Sequence, residues 1–252
     1  KHQKLMFFCI LIIKIAHNEV GDEMKKQSIW TVGFNDVSRP PLTKDIICDI
    51  LIIGGGMAGI STAFNLKDIA QRIILIDKDK IGYGVTSHTT GKITYLQGSI
   101  YSKIEKMFDF TVAKQYLESQ KEAMAIIKHN IDKYHIDCDY TACSSYIYTT
   151  DPDKPLTKER DFLTRAQIKY QDSKKLPETK IPCLDALKVP DTAVFHPLKY
   201  LMALKQIILD NSIQIYENTP ALDLDVEGDH YVIKTPQGLI KTSKVLVCTH
   251  YP

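Results

Sequence analysis

The sequence predicts an α/β fold built on a parallel sheet, and three adjoining observations predict it. An unbroken apolar run, Asp49-Ile50-Leu51-Ile52-Ile53, leads into Gly54-Gly55-Gly56-Met57-Ala58-Gly59. Ile60 to Leu66 follows as a small-residue-rich helix, and Arg72-Ile73-Ile74-Leu75-Ile76-Asp77 is a second apolar run closed by a carboxylate. Strand, glycine turn, helix and strand in that order form a phosphate-binding βαβ unit.

Each glycine of the Gly-x-Gly-x-x-Gly pattern has its own physical reason. Gly54 permits the tight turn off the strand, Gly56 lets backbone approach a pyrophosphate without a Cβ, and Gly59 allows close helix–strand packing. The helix opening near Met57 points N–H groups and the positive end of its dipole at the phosphates. Asp77 lies about 20 residues beyond the first glycine, where a carboxylate accepts ribose hydroxyls. The chain is therefore expected to bind a dinucleotide.

A length of 252 residues suffices for one large or two modest domains with a buried core. Apolar residues make up 44% and charged residues 25%, the balance of a soluble globular protein. The net charge of +2 is interspersed along the chain, which argues against a nucleic-acid partner. Six cysteines show neither a Cys-x-x-Cys pair nor histidines at zinc spacing, so no metal is expected and a reducing, cytoplasmic location is.

Before the first strand, residues 1–23 carry a basic start and the short apolar run Leu5 to Ile13, too short for a membrane span of roughly 20 residues. They read as an upstream extension ahead of a start at Met24. Residues 24–45 form an extended arm, with Pro40-Pro41 favouring polyproline geometry. Beyond Asp77, the segment Lys80 to Lys92 is rich in glycine and hydroxyls, as suits a loop that binds a polar ligand and equally a solvated surface loop.

Leu117, Met124, Ile127, Ile131 and Tyr134 recur at helical intervals, predicting an amphipathic helix over about 111–134. Ser145 to Thr150 alternates like a half-buried strand, residues 153–171 read as a further helix, and a stretch punctuated by Pro177, Pro182 and Pro190 follows. Phe195-His196-Pro197 precedes a helix over 198–209, with His196 expected to fix that junction more than to act as a base. Ser212 to Asn218 reads as a strand. Residues 221–226, 231–235 and 239–241 read as a small antiparallel meander, and 244–249 as a further parallel strand.

The glycine turn, the Ile76-Asp77-Lys78 strand end and the Gly82-x-Gly84-x-Thr86-Ser87 loop together resemble the FAD-dependent oxidoreductases of the D-amino-acid oxidase and glycine oxidase superfamily. The likeness is nearest to a bacterial subgroup often fused to a C-terminal Rieske domain, through Thr86 to Lys92, Phe195 to Tyr200 and Val245 to Pro252. It implies a Rossmann-like FAD-binding domain, with a parallel sheet, helices and the meander, and part of a mixed substrate-side sheet. On that resemblance the FAD-binding domain comprises 46–140 and 196–252, with 141–195 on the substrate side.

By the same resemblance Gly54, Gly56 and Gly59 cradle the pyrophosphate of FAD, while Asp77 and Lys78 stand at the adenosine ribose. Gly84, Thr86 and Ser87 reach the pyrophosphate, and Thr90, Gly91 and Lys92 approach the flavin ring, where a positive charge tunes the cofactor. Ala221 lies by the adenine, and Cys248 and Thr249 end a strand over the FAD. The implied activity is oxidation of an amine or amino-acid C–N bond by hydride transfer to the flavin, with oxygen or a Rieske-type carrier as electron acceptor. Because the family's second half is absent, the chain is expected to be a fragment or a truncated product. Two alternatives stand beside this one: an incomplete flavin-binding fragment without activity, and an NAD-dependent Rossmann enzyme.

Overall fold

The computed structural model describes residues 7–8, 27–69, 71–176, 181 and 183–250. The chain divides into two compact units, one containing 91–195 and the other containing 24–90 and 196–252.

The glycine-turn unit is organised around a six-stranded sheet. Strand β2 (Ile46–Ile53) leads through helix α1 (Met57–Leu66) to β3 (Ile73–Ile76). Helix α5 (Pro197–Asp210) leads to β8 (Gln214–Tyr216), and β9 (Asp223–Glu227), β10 (His230–Thr235) and β11 (Gly238–Val247) complete the sheet in the order β8-β3-β2-β11-β10-β9. The first four strands are parallel, and β10 and β9 continue them antiparallel. Leu51, Ile52, Ile74, Leu75 and Ile76 are fully buried, as the continuous apolar runs of a parallel sheet require. Two strands expected at 239–241 and 244–249 are one. The first half of β11 pairs with β10, and from Ile240 onward it also runs parallel to β2.

The other unit has a sheet of strands β1 (Phe7–Phe8), β5 (Thr141–Thr149), β7 (Asp185–Val194) and β4 (Lys92–Ile93), with β6 (Gln171–Ser173) also paired to β7. Every pairing described in it is antiparallel, where a mixed sheet was expected. Helices α2 (Ile100–Met107), α3 (Phe110–Lys133) and α4 (Thr157–Arg165) pack with it. Tyr101, Leu117, Ile147, Phe162 and Leu187 form one core there, and the Tyr101 and Phe162 rings stack at 4.9 Å. Because α2 and α3 share this core, the boundary expected near residue 140 falls inside a single unit.

Helix α3 agrees with the predicted amphipathic stripe, burying Leu117 and Ile131. The helix expected over 153–171 is shorter. It stops at Arg165, Gln167 turns left-handed at φ 59°, and β6 follows. Strand β7 escaped the sequence reading because Pro190 interrupts it. Between the pairs Cys143↔Thr192 and Ser145↔Val189, Pro190 and Asp191 oppose Ser144 alone, a bulge that takes the proline out of the ladder. Pro177 and Pro182 lie outside the described residues, as does most of 1–23, the predicted upstream extension.

Candidate functional site

The glycine turn closes through backbone approaches that admit no side chain. Gly54 has φ 110°, and a Cβ on it would lie 2.7 Å from the Cys248 carbonyl oxygen. At Gly59 a Cβ would lie 1.8 Å from the Gly54 carbonyl oxygen. The turn is held at either side by the sheet: Gly54 N–H donates to the Ile76 carbonyl at 2.8 Å, and Cys248 N–H to the Ile53 carbonyl at 2.8 Å.

Helix α1 begins at this turn with an electrically bare N-terminus. Gly56 offers no side-chain cap, and no acidic residue stands in the first turn. The Met57 N–H donates to Thr86 Oγ1 at 2.9 Å, a neutral acceptor that leaves the dipole uncompensated. A Cβ at Gly56 would meet only that same oxygen, at 3.1 Å. Ala58 is exposed. Backbone N–H groups, a positive helix end, no acidic residue in the first turn and no obstructing side chain together fit a pyrophosphate.

Asp77 sits at the other side of the turn. Its Oδ2 accepts the Gly55 N–H at 2.6 Å and its Oδ1 the Asp79 N–H at 2.8 Å. Burial pushes its carboxyl above the ordinary value, outweighing those two hydrogen bonds. An ionised carboxylate has about four lone-pair sites, so two backbone donors leave acceptor capacity for hydroxyls. Gly55, which was not among the expected site residues, thus carries the N–H that joins turn and carboxylate.

The remaining expected residues are placed unequally. In the short 3₁₀ turn Val85–His88, the Ser87 hydroxyl donates to the Gly84 carbonyl at 3.0 Å and is almost fully buried, so it closes its own loop. Gly84 has open space where a Cβ would be. Lys78, Thr90, Ala221 and Thr249 are exposed positions of this unit. The Cys248 thiol is half-buried, 3.9 Å from Thr62 Oγ1. The structure therefore brings Gly54, Gly56, Gly59, Asp77, Thr86 and Cys248 to one turn.

Gly91 and Lys92 belong to the other unit. There Gly91 is buried at φ 64°, its carbonyl accepts the Phe195 N–H at 3.0 Å, and half-buried Lys92 pairs with Val194 in the sheet.

His196 caps α5: its Nδ1 accepts the Lys199 N–H at 3.3 Å, with Pro197 in the first turn. Its ring lies between Trp30, at 5.1 Å, and Phe34, at 5.8 Å. Sequence reading overlooked these arm residues, whose only signal was a pair of aromatics ahead of the Pro40-Pro41 stretch.

A family model described as FAD dependent oxidoreductase, DAO, matches residues 49–251. This chain belongs to that family. Its cofactor is FAD, and the dinucleotide expected from the glycine turn is FAD rather than NAD. Among curated relatives, the putative Rieske 2Fe-2S iron–sulfur protein YhfW of Bacillus subtilis is 33% identical over 90% of this chain and 45% of its own length. The gamma-glutamylputrescine oxidoreductase of Escherichia coli is 22% identical over 82% of this chain and 50% of its own. Among solved structures, glycine oxidase from Geobacillus kaustophilus superposes with TM-score 0.65 at 16% identity, covering 81% of this chain and 55% of that one. L-amino acid deaminase from Proteus vulgaris gives 0.64 at 19%, over 86% and 50%. The chain spans about half the length of the curated relatives it matches. No helix among the described residues is long and apolar enough to cross a membrane.

Proposed function

We propose that the protein oxidises the C–N bond of a small amine or amino acid. FAD, when bound, would supply the two-electron oxidation, the carbon bearing nitrogen losing a hydride to it; water would then hydrolyse the oxidised substrate, an imine, to a carbonyl compound and free amine or ammonia. The observation that carries this reading is the bare, glycine-lined start of α1 within a family match running from Asp49 almost to the last residue. The names of the relatives support the substrate class, since they include a glycine oxidase, an L-amino acid deaminase and a gamma-glutamylputrescine oxidoreductase.

In this reading the chain's own residues bind and orient. Gly54, Gly56 and Gly59 hold the pyrophosphate against the N–H groups of α1, and Thr86 completes the seat. Asp77, with Lys78 beside it, receives the adenosine ribose, and Ala221 the adenine. Gly84 and Ser87 shape the loop, Cys248 and Thr249 flank the turn, and Thr90 approaches the ring. The electron acceptor is oxygen or a Rieske-type carrier, the latter supported by the likeness to YhfW. A cytoplasmic location fits the thiols of Cys48, Cys183 and Cys248, which form no disulfide.

Anaerobic mixing of the FAD-loaded protein with a panel of amines and amino acids tests this. The expected result is bleaching of the flavin absorbance by at least one amine, with a carbonyl product. Bleaching by hydroxy acids or polyols and by no amine would overturn it.

A further inference from the structure

We propose that the arm formed by residues 28–39 is a clamp that holds the Thr86–Thr89 loop in its cofactor-binding form, with Trp30 as the positioning residue. The contact is direct. Trp30 Nε1–H donates to the Thr89 carbonyl at 2.7 Å, and the Ser28 hydroxyl donates to the Ser87 carbonyl. Those two carbonyls lie one and three residues after Thr86, whose hydroxyl receives the first N–H of α1. On its outer side the loop is open, with Val85 and His88 exposed and the bonds within it running between Tyr83, Gly84, Ser87 and His88, while Thr86 and Ser87 are buried inward.

The far end of the arm is fastened by a buried ionic cluster. Lys205 Nζ on α5 donates to Asp36 Oδ2 at 2.6 Å, to the Val37 carbonyl at 3.1 Å and to Glu217 Oε1 at 3.2 Å. Glu217, with no side-chain exposure, also accepts the Ser38 hydroxyl at 2.5 Å and the Arg39 N–H at 2.9 Å. Its Oε1 takes the Ile81 N–H at 3.2 Å as well, so one carboxylate joins the arm to the start of the loop. A buried charge holds its place when its hydrogen-bonding groups are met, as those of Lys205 and Glu217 are here. Between the two ends, Trp30 is buried against the edge of the His196 ring and Phe34 stacks on it. The arm is thus tied at both ends and packed in the middle, the construction that preorganises a binding loop.

The proposal rests on the loop serving FAD, so its test separates the two. Hydrogen exchange and FAD titration are measured on the full chain, on Trp30→Phe, which keeps a ring beside His196 and deletes the N–H, and on Ser28→Ala. The expected result is faster exchange of amides 84–90, unchanged exchange in β2 and β3, an unfolding midpoint close to that of the unsubstituted protein, and FAD affinity weaker by about five- to tenfold, the worth of one such hydrogen bond. Ser28→Ala carries the same expectation should Trp30→Phe not fold. Unaltered loop exchange in the variants overturns the clamp. Faster loop exchange with unaltered FAD affinity overturns its link to the cofactor. Unsubstituted protein that binds no FAD overturns the site itself, and with it the clamp's purpose.

Discussion

Helices α1 and α2 both begin without a local side-chain cap, and they solve the problem in opposite ways. At α2 the N–H groups of Tyr101 and Ser102 donate to the Glu159 carboxylate at 3.3 and 3.0 Å, from a residue 1% exposed and more than fifty positions away in sequence. That end is neutralised and closed. At α1 a single hydroxyl, Thr86, takes the Met57 N–H, no acidic residue stands in the first turn, and the Asp77 carboxylate is engaged one residue before the cap, on the Gly55 N–H. A positive helix end left unneutralised beside glycines is a seat for an anion, whereas one saturated by a buried acid belongs to the core. The difference marks one helix start for a ligand and the other for structure.

Four substitutions break or sharpen that contrast. The largest effect is expected at Gly59→Ala, because the added methyl would enter the Gly54 carbonyl: stability should fall by upwards of about 3 kcal/mol in urea unfolding, or the protein should fail to accumulate folded. A normal unfolding midpoint there would mean the turn is not closed as described.

Next is Glu159→Ala, which orphans two N–H groups and should cost about 1–3 kcal/mol. Burial raises the Glu159 carboxyl above its ordinary value, against the hydrogen bonds from Ser102 and Tyr101. A raised folded value means the folded state holds the proton more tightly than the unfolded chain. This contribution is therefore full below the ordinary glutamate range and is lost as pH rises through the folded value. Relative to Glu159→Gln, the unsubstituted protein should lose stability as pH rises from 4 toward neutrality, a trend read from urea midpoints across that range.

Thr86→Val preserves shape and removes the acceptor of the Met57 N–H. It should cost about 1 kcal/mol in stability and lower FAD affinity severalfold, since the same hydroxyl serves the helix start and the site. The smallest effect is expected at Gly84→Ala, where φ is −79° and no atom lies within 4 Å of the added methyl. Folding should change by less than about 0.5 kcal/mol, so any change in FAD titration there reports contact with the cofactor.

The same contrast explains what the sequence made legible. Backbone close approach demands glycine, and so the turn from Gly54 to Gly59 is written in residue identity and short spacing. The buried apolar runs of β2 and β3 are likewise local signals. Glu159 reaching Tyr101 and Ser102, or Trp30 reaching Thr89, leaves no such trace, because any acid or indole in the chain looks the same until the fold places it. Pro190 misled for a related reason: a proline reads as a break unless its own strand bulges there, as β7 does at Pro190-Asp191 opposite Ser144. Within the site, the glycines and Asp77 were readable, whereas the inward turn of Ser87 and the Gly55 N–H to Asp77 depend on loop geometry.

The most direct measurement of the central claim places a carboxylate where the structure has none. Ala58 is an exposed first-turn residue of α1, so Ala58→Asp should preserve or slightly raise helix stability through the dipole while repelling a pyrophosphate. Gel filtration with added FAD should show flavin absorbance travelling with the unsubstituted protein and not with a folded Ala58→Asp variant. Equal retention of FAD by both would contradict the assignment of the α1 start as the seat of the cofactor.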